Sequence, residues 1–141
     1  MNKIAKLKWC DWSLLLLTIA ILVSGIYLEV TDSNGLAAVW MHIALGILFF
    51  IYVACHIFLH FGKSNWFERF RRLKSQFTRV LWWVSLATLI TGIISCIHWF
   101  ITLSHSPLGG IHGKIGFLMV ILCCGHIWKR KKFFKGGRNK K

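Results

Sequence analysis

Residues 37–61 read AAVWMHIALGILFFIYVACHIFLHF, with no acid, lysine, arginine, amide side chain or proline anywhere in the run. An apolar stretch of about 20 residues spans the roughly 30 Å hydrocarbon core of a bilayer as a helix, so this run reads as a transmembrane helix. Three more runs of the same kind flank it, at 12–30, 79–102 and 111–128. The first follows a short basic stretch, as a signal peptide would. Its apolar part is long, however, and no A-x-A-like cleavage site follows Gly25, so it is read as a retained helix. The expected fold class is all-α: an integral membrane four-helix bundle forming a single transmembrane domain.

Composition supports this class. Of the 141 residues 56% are hydrophobic and 16% charged, mean hydropathy is +0.60, and one proline is present. A net charge of +14 raises nucleic acid as a partner, but 17 of the 18 Lys and Arg residues fall into three blocks separated by the apolar runs. The blocks are Lys3 to Lys8, Lys63 to Arg79 and Lys129 to Lys141. A nucleic-acid binder would instead carry a basic stripe on a soluble fold. The five cysteines, Cys10, Cys55, Cys96, Cys123 and Cys124, form no Cys-x-x-Cys-His and no zinc-like spacing, and read as small apolar residues.

The basic blocks also predict orientation, because cytoplasmic loops collect Lys and Arg. The connections Glu29–Leu36 and Leu103–Gly110 contain neither. Both termini are therefore expected in the cytoplasm, with an up-down-up-down course and a basic cytoplasmic tail over 129–141. Trp12, Trp40, Trp66, Trp99 and Trp128 lie near span ends, where an aromatic belt would place them.

The second and fourth spans align on their histidines at an offset of 70: His42 meets His112, Gly46 meets Gly116, and His56 meets His126. The first and third align at an offset of 67, with Ser24-Gly25-Ile26 on Thr91-Gly92-Ile93. Shared hydrophobicity explains matching Leu and Ile, but not two histidines and a glycine at one spacing. The chain reads as two parallel copies of a helix pair.

Within each repeat the histidines are 14 residues apart, four turns at about 3.5 residues per turn, and so share a helix face. At about 1.5 Å per residue they are roughly 21 Å apart along the axis. Repeated spans running in one direction bring His42 level with His112, and His56 level with His126. Inward-facing side chains on opposed helices are how bundles build cofactor sites, and axial histidine is one way of holding haem iron. The expected cofactors are therefore two b haems: an outer one on His42 and His112, and an inner one on His56 and His126. Gly46, Gly116, Gly25 and Gly92 would make room for the macrocycle, and Lys114 is a candidate propionate contact.

Other readings remain open. Small residues in membrane helices serve close packing, and intramembrane histidines hydrogen-bond across helices, so a membrane anchor with purely structural histidines is one. A non-haem metal-binding or metal-transporting membrane protein is another, since imidazole suits zinc and copper. No Asp or Glu is expected in a span interior to complete such a site, although Cys55, Cys123 and Cys124 lie near the inner histidines. His60 has Arg130 as its repeat counterpart and reads as interfacial. His98 and His105 would lie near the outer surface, facing propionates, an electron carrier or only water.

His-x13-His on two helices of a four-helix bundle resembles the haem core of the cytochrome b of respiratory bc complexes. Trp40-x-His42, His56-x-x-x-His60, Asn65-Trp66 and Ile111-His112-Gly113-Lys114 are more similar to a family of small bacterial four-helix di-haem cytochromes associated with flavinylated electron-transfer proteins. The resemblance covers most of the chain from Trp12 to Trp128. It implies His42, His56, His112 and His126 as iron ligands and a bacterial cytoplasmic (inner) membrane location. It also implies electron transfer, alone or as an oxidoreductase subunit, between a flavoprotein, cytochrome or quinol and a partner. The cytochrome subunits of membrane hydrogenases and formate dehydrogenases take a ligand from their first helix. The first span here has no histidine.

Overall fold

In hydrocarbon every backbone N–H and C=O must be satisfied within the segment, which favours helices. The computed structural model follows that rule. It describes residues 3–32, 35–61, 68, 75–102 and 107–129. Four long helices run over Lys3–Val30 (α1), Leu36–Phe61 (α2), Gln76–Thr102 (α3) and Pro107–Lys129 (α4). All four are long and apolar enough to cross a membrane. His105 and the tail after Lys129 lie outside the described residues.

The helix ends follow local chemistry. Gly35, at φ +117°, precedes α2, and its carbonyl accepts from the N–H groups of Ala38 and Val39. That left-handed backbone is one that glycine adopts without penalty. The Ser75 carbonyl accepts from Arg79 N–H at the start of α3. Pro107 occupies the first turn of α4, where its missing N–H removes no helical bond.

The helices pack mainly as two hairpins, α1 on α2 and α3 on α4, with a smaller contact between α1 and α4. Contacts join the late part of α1 to the early part of α2 (Ser24 to His42) and the reverse (Asp11 to His56). The two helices of that hairpin therefore run in opposite directions. Edge-on packing of Trp40 against Trp99 and Phe100 links α2 to α3.

The surface is what lipid requires. Trp9, Val30, Ile101 and Trp128 are each at least 70% exposed, and more than twenty other large apolar side chains join them. Water would not tolerate an apolar surface of this extent on a monomer. The chain is an all-helical, multi-pass membrane protein in its architecture. The interior is less usual. Its buried residues are Cys10, Phe49, Met119 and Val120 together with Asp11, Thr18, Ser24 and Thr88. Among the described residues half of the core is thus polar, and no large side chain is fully enclosed.

One expectation needs correction. The first span was placed at 12–30, which left no acid in a span interior. The apolar helix reaches back to Ala5, and Asp11 lies buried within it. Basic residues Lys6 and Lys8 break the hydropathy there in sequence, while the helix continues past them.

Candidate cofactor site

His42 projects from the second turn of α2 and His112 from the second turn of α4. Their ring centres are 6.2 Å apart and their planes are inclined at 81°. Two imidazoles on one metal ion, each bonded through nitrogen at about 2.0–2.1 Å, have ring centres roughly 6 Å apart. The two histidines, 70 positions apart in sequence, meet across the bundle.

Their hydrogen bonds define the tautomers. Ser24 Oγ lies 3.0 Å from the Ile21 carbonyl and 2.8 Å from His42 Nδ1, so with its proton on that carbonyl it accepts from His42 Nδ1–H. His112 Nδ1 lies 3.1 Å from the Thr88 carbonyl, which can only accept, and 3.3 Å from Thr91 Oγ1. Thr91 Oγ1 gives its own proton back to the Ala87 carbonyl at 2.8 Å. His112 therefore carries hydrogen on Nδ1 and keeps the lone pair on Nε2, and the Ser24 contact accommodates the same tautomer at His42. Metal-binding histidines are held in this way, the second nitrogen donating to a carbonyl or other acceptor that fixes ring and tautomer. Ser24 aligns in sequence with Thr91 as His42 does with His112, and each hydroxyl lies within 3.3 Å of the Nδ1 of the matching ring.

A cavity of about 550 Å³ opens beside this pair, within the roughly 300–1,000 Å³ typical of cofactor and ligand pockets. Its wall includes both histidines, Gly25, Gly46, Gly92, Gly116 and Lys114. Both histidines, the four glycines and Lys114 thus line one space. A Cβ on Gly92 would lie 2.9 Å from His112 Cε1, and one on Gly25 would lie 3.6 Å from His42 Cε1. These two glycines let the neighbouring helices close over the rings. A Cβ on Gly46 would meet nothing within 4 Å, so that glycine leaves the cavity wall bare. Glu29 and Lys114 both line the cavity and are exposed, placing opposite charges on it.

Ser95 was not anticipated. Its hydroxyl is the one buried side-chain polar atom without a hydrogen-bond partner among the described residues, and Ser95 lines this cavity. Nothing in its sequence context marks it, because a serine in an apolar helix ordinarily bonds its own backbone, as Ser85 does to Leu81.

The inner histidines are arranged differently. His56 Nδ1 donates to Asp11 Oδ1 at 2.7 Å, and the His56 and His60 rings are 4.5 Å apart. The potential ligand atoms of Asp11, His56 and His60 all lie within 4.8 Å of one another. His60 was expected to be merely interfacial, and it is exposed, but it adjoins this cluster. His126 is half-buried, 14 residues beyond His112 on the same helix. His98 Nδ1 lies 3.3 Å from Thr102 Oγ1 on its own helix, and His98 is not among the residues lining the cavity.

No protein-family model, curated protein or solved structure matches the chain. The site is therefore read from its own chemistry.

Proposed function

We propose that the chain is a b-type cytochrome that binds two haems and passes electrons between a redox carrier (quinol, flavoprotein or cytochrome) and a partner. The observation that carries this reading is the His42–His112 pair: two Nδ1-anchored imidazoles from opposed helices, at one-iron separation, beside a glycine-walled cavity. These residues would hold a flat, largely apolar group, with His42 and His112 as its protein ligands. Bound there, haem would supply one-electron chemistry, which belongs to the cofactor rather than to the protein. The protein's part is to hold. Ser24 and the Thr88 carbonyl orient the outer imidazoles, and the glycines admit the ring. Phe49 and Met119 exclude water, and Lys114 is positioned for a carboxylate at the mouth. By the repeat, His56 and His126 would hold the second haem.

The accompanying topology is up-down-up-down with both termini in the cytoplasm of a bacterial inner membrane, so that the two haems lie near opposite faces. Reporter fusions at Asn34 and Ser106 should read external, and those at Ser75 or after Lys141 cytoplasmic. Reversed readings would exchange the inner and outer sites.

One observation favours a second reading. Asp11, His56 and His60 form a compact nitrogen and oxygen donor set, and imidazole with carboxylate suits a divalent transition metal. Acid–acetone extraction with metal analysis separates the two. Two extractable haems per chain are expected. One divalent ion per chain with haem well below stoichiometry would favour the non-haem alternative. A folded preparation that stays colourless after haem supplementation would contradict the haem reading.

A further inference from the structure

We infer that Asp11 is a positioning residue for His56, and that its carboxylate lowers the reduction potential of the inner centre. This rests on the two-haem reading and adds to it a difference between the sites that the repeat does not contain.

At the outer site both imidazoles donate to neutral acceptors, the Ser24 hydroxyl and the Thr88 carbonyl. At the inner site His56 donates to a carboxylate at 2.7 Å. The Asp11 side chain is 8% exposed and the His56 side chain 27%. Burying a carboxylate is costly unless it is paired and hydrogen-bonded, and an acid inside a membrane span is by default a functional residue. Its placement is secured one residue earlier, where Cys10 Sγ lies 3.6 Å from the Tyr52 carbonyl, one turn before His56 on α2. The first helix is thereby registered on the second at the point where the acid meets the histidine.

The carboxylate does two things that a hydroxyl or carbonyl cannot do together. It accepts the Nδ1 proton, which leaves Nε2 as the ligating nitrogen and increases its basicity. It also places a negative charge beside the ligand. Oxidised iron carries one positive charge more than reduced iron, so both effects favour the oxidised form. Hydrogen bonding to an axial ligand is one of the protein's levers on haem potential. The repeat counterpart of Asp11 is Thr78 at the 67-residue offset, a neutral residue, so the device belongs to one half of the molecule.

The test is a redox titration of the purified, haem-loaded protein beside Asp11→Asn and Asp11→Glu. Asn keeps an acceptor for Nδ1–H and removes the charge. The inner midpoint should rise in Asp11→Asn by about a tenfold loss of preference for oxidised iron, 59 mV for one electron. The outer midpoint should stay in place, since the outer ligands are roughly 21 Å away along the helix. Asp11→Glu should return the inner midpoint towards its original value. If Asp11→Asn fails to hold the inner haem, retention of that haem by Asp11→Glu supports the assignment, and loss from both variants overturns it. An unchanged inner midpoint in Asp11→Asn overturns it, as does an equal shift of both midpoints. In each of those cases the two-haem reading stands. An unsubstituted protein with a single haem, or with a divalent ion at this cluster, removes the two-haem reading itself and the inference with it.

Discussion

Replacing His42 and His112 together by alanine should remove one haem and spare the other, while replacing His42 and His126 together should remove both. The first result follows if one iron is shared. Either single change already strips an axial ligand from the outer centre, and substitutions acting on a single site are coupled rather than additive. The double variant should therefore lose little beyond the worse single. The second combination strikes two centres on different histidine pairs, and its losses should add. His60→Ala should retain both haems, because the proposed ligands are His56 and His126. Haem content and redox titration across this series check each outcome. If His42→Ala and His56→Ala were to damage the same centre, the ligands would be paired along one helix, and the arrangement across the bundle would be wrong.

Gly92→Ala should deplete the outer haem, whereas Gly25→Ala should be tolerated. The two glycines occupy equivalent repeat positions but differ in clearance. A methyl on Gly92 would be 2.9 Å from His112 Cε1, closer than a real Cβ contact permits, and one on Gly25 would be 3.6 Å from His42 Cε1, ordinary contact. The His112 ring cannot simply rotate away, because Thr88 and Thr91 hold its Nδ1. Overpacking of this kind costs about 1–3 kcal/mol, which is roughly five- to a hundredfold in haem affinity at about 1.4 kcal/mol per decade. Equal haem retention by the two variants, measured against the inner haem as an internal standard, would show that the rings do not stand where the bound state needs them.

Much of this was legible in the sequence, for definable reasons. Twenty-odd apolar residues in a row leave few structural options, so the four helices followed directly from hydropathy. That His42 and His112 should meet was an expectation from their aligned spacing in sequence, and their rings lie 6.2 Å apart. Asp11 was missed because an acid itself ends an apolar run on paper, with Lys6 and Lys8 just before it, and because its burial depends on a partner 45 positions away. The tautomers were also out of reach. That Ser24 accepts from His42 depends on its own proton going to Ile21, which only three-dimensional contacts reveal. Ser95 carries no pattern at all. Its significance lies in a missing partner rather than in its identity.

The central claim is that His42 and His112, from opposite helices, ligate a single iron. Electron paramagnetic resonance of the oxidised, purified protein addresses it most directly, because axial imidazole number and orientation set the ferric signal. With both ligands in place and their planes near the 81° of the structure, the outer centre should give a strongly anisotropic low-spin signal. That signal should vanish in His42→Ala and in His112→Ala, and persist in His56→Ala. A high-spin ferric signal from the unsubstituted protein, or a low-spin signal that survives loss of either outer histidine, would contradict the account.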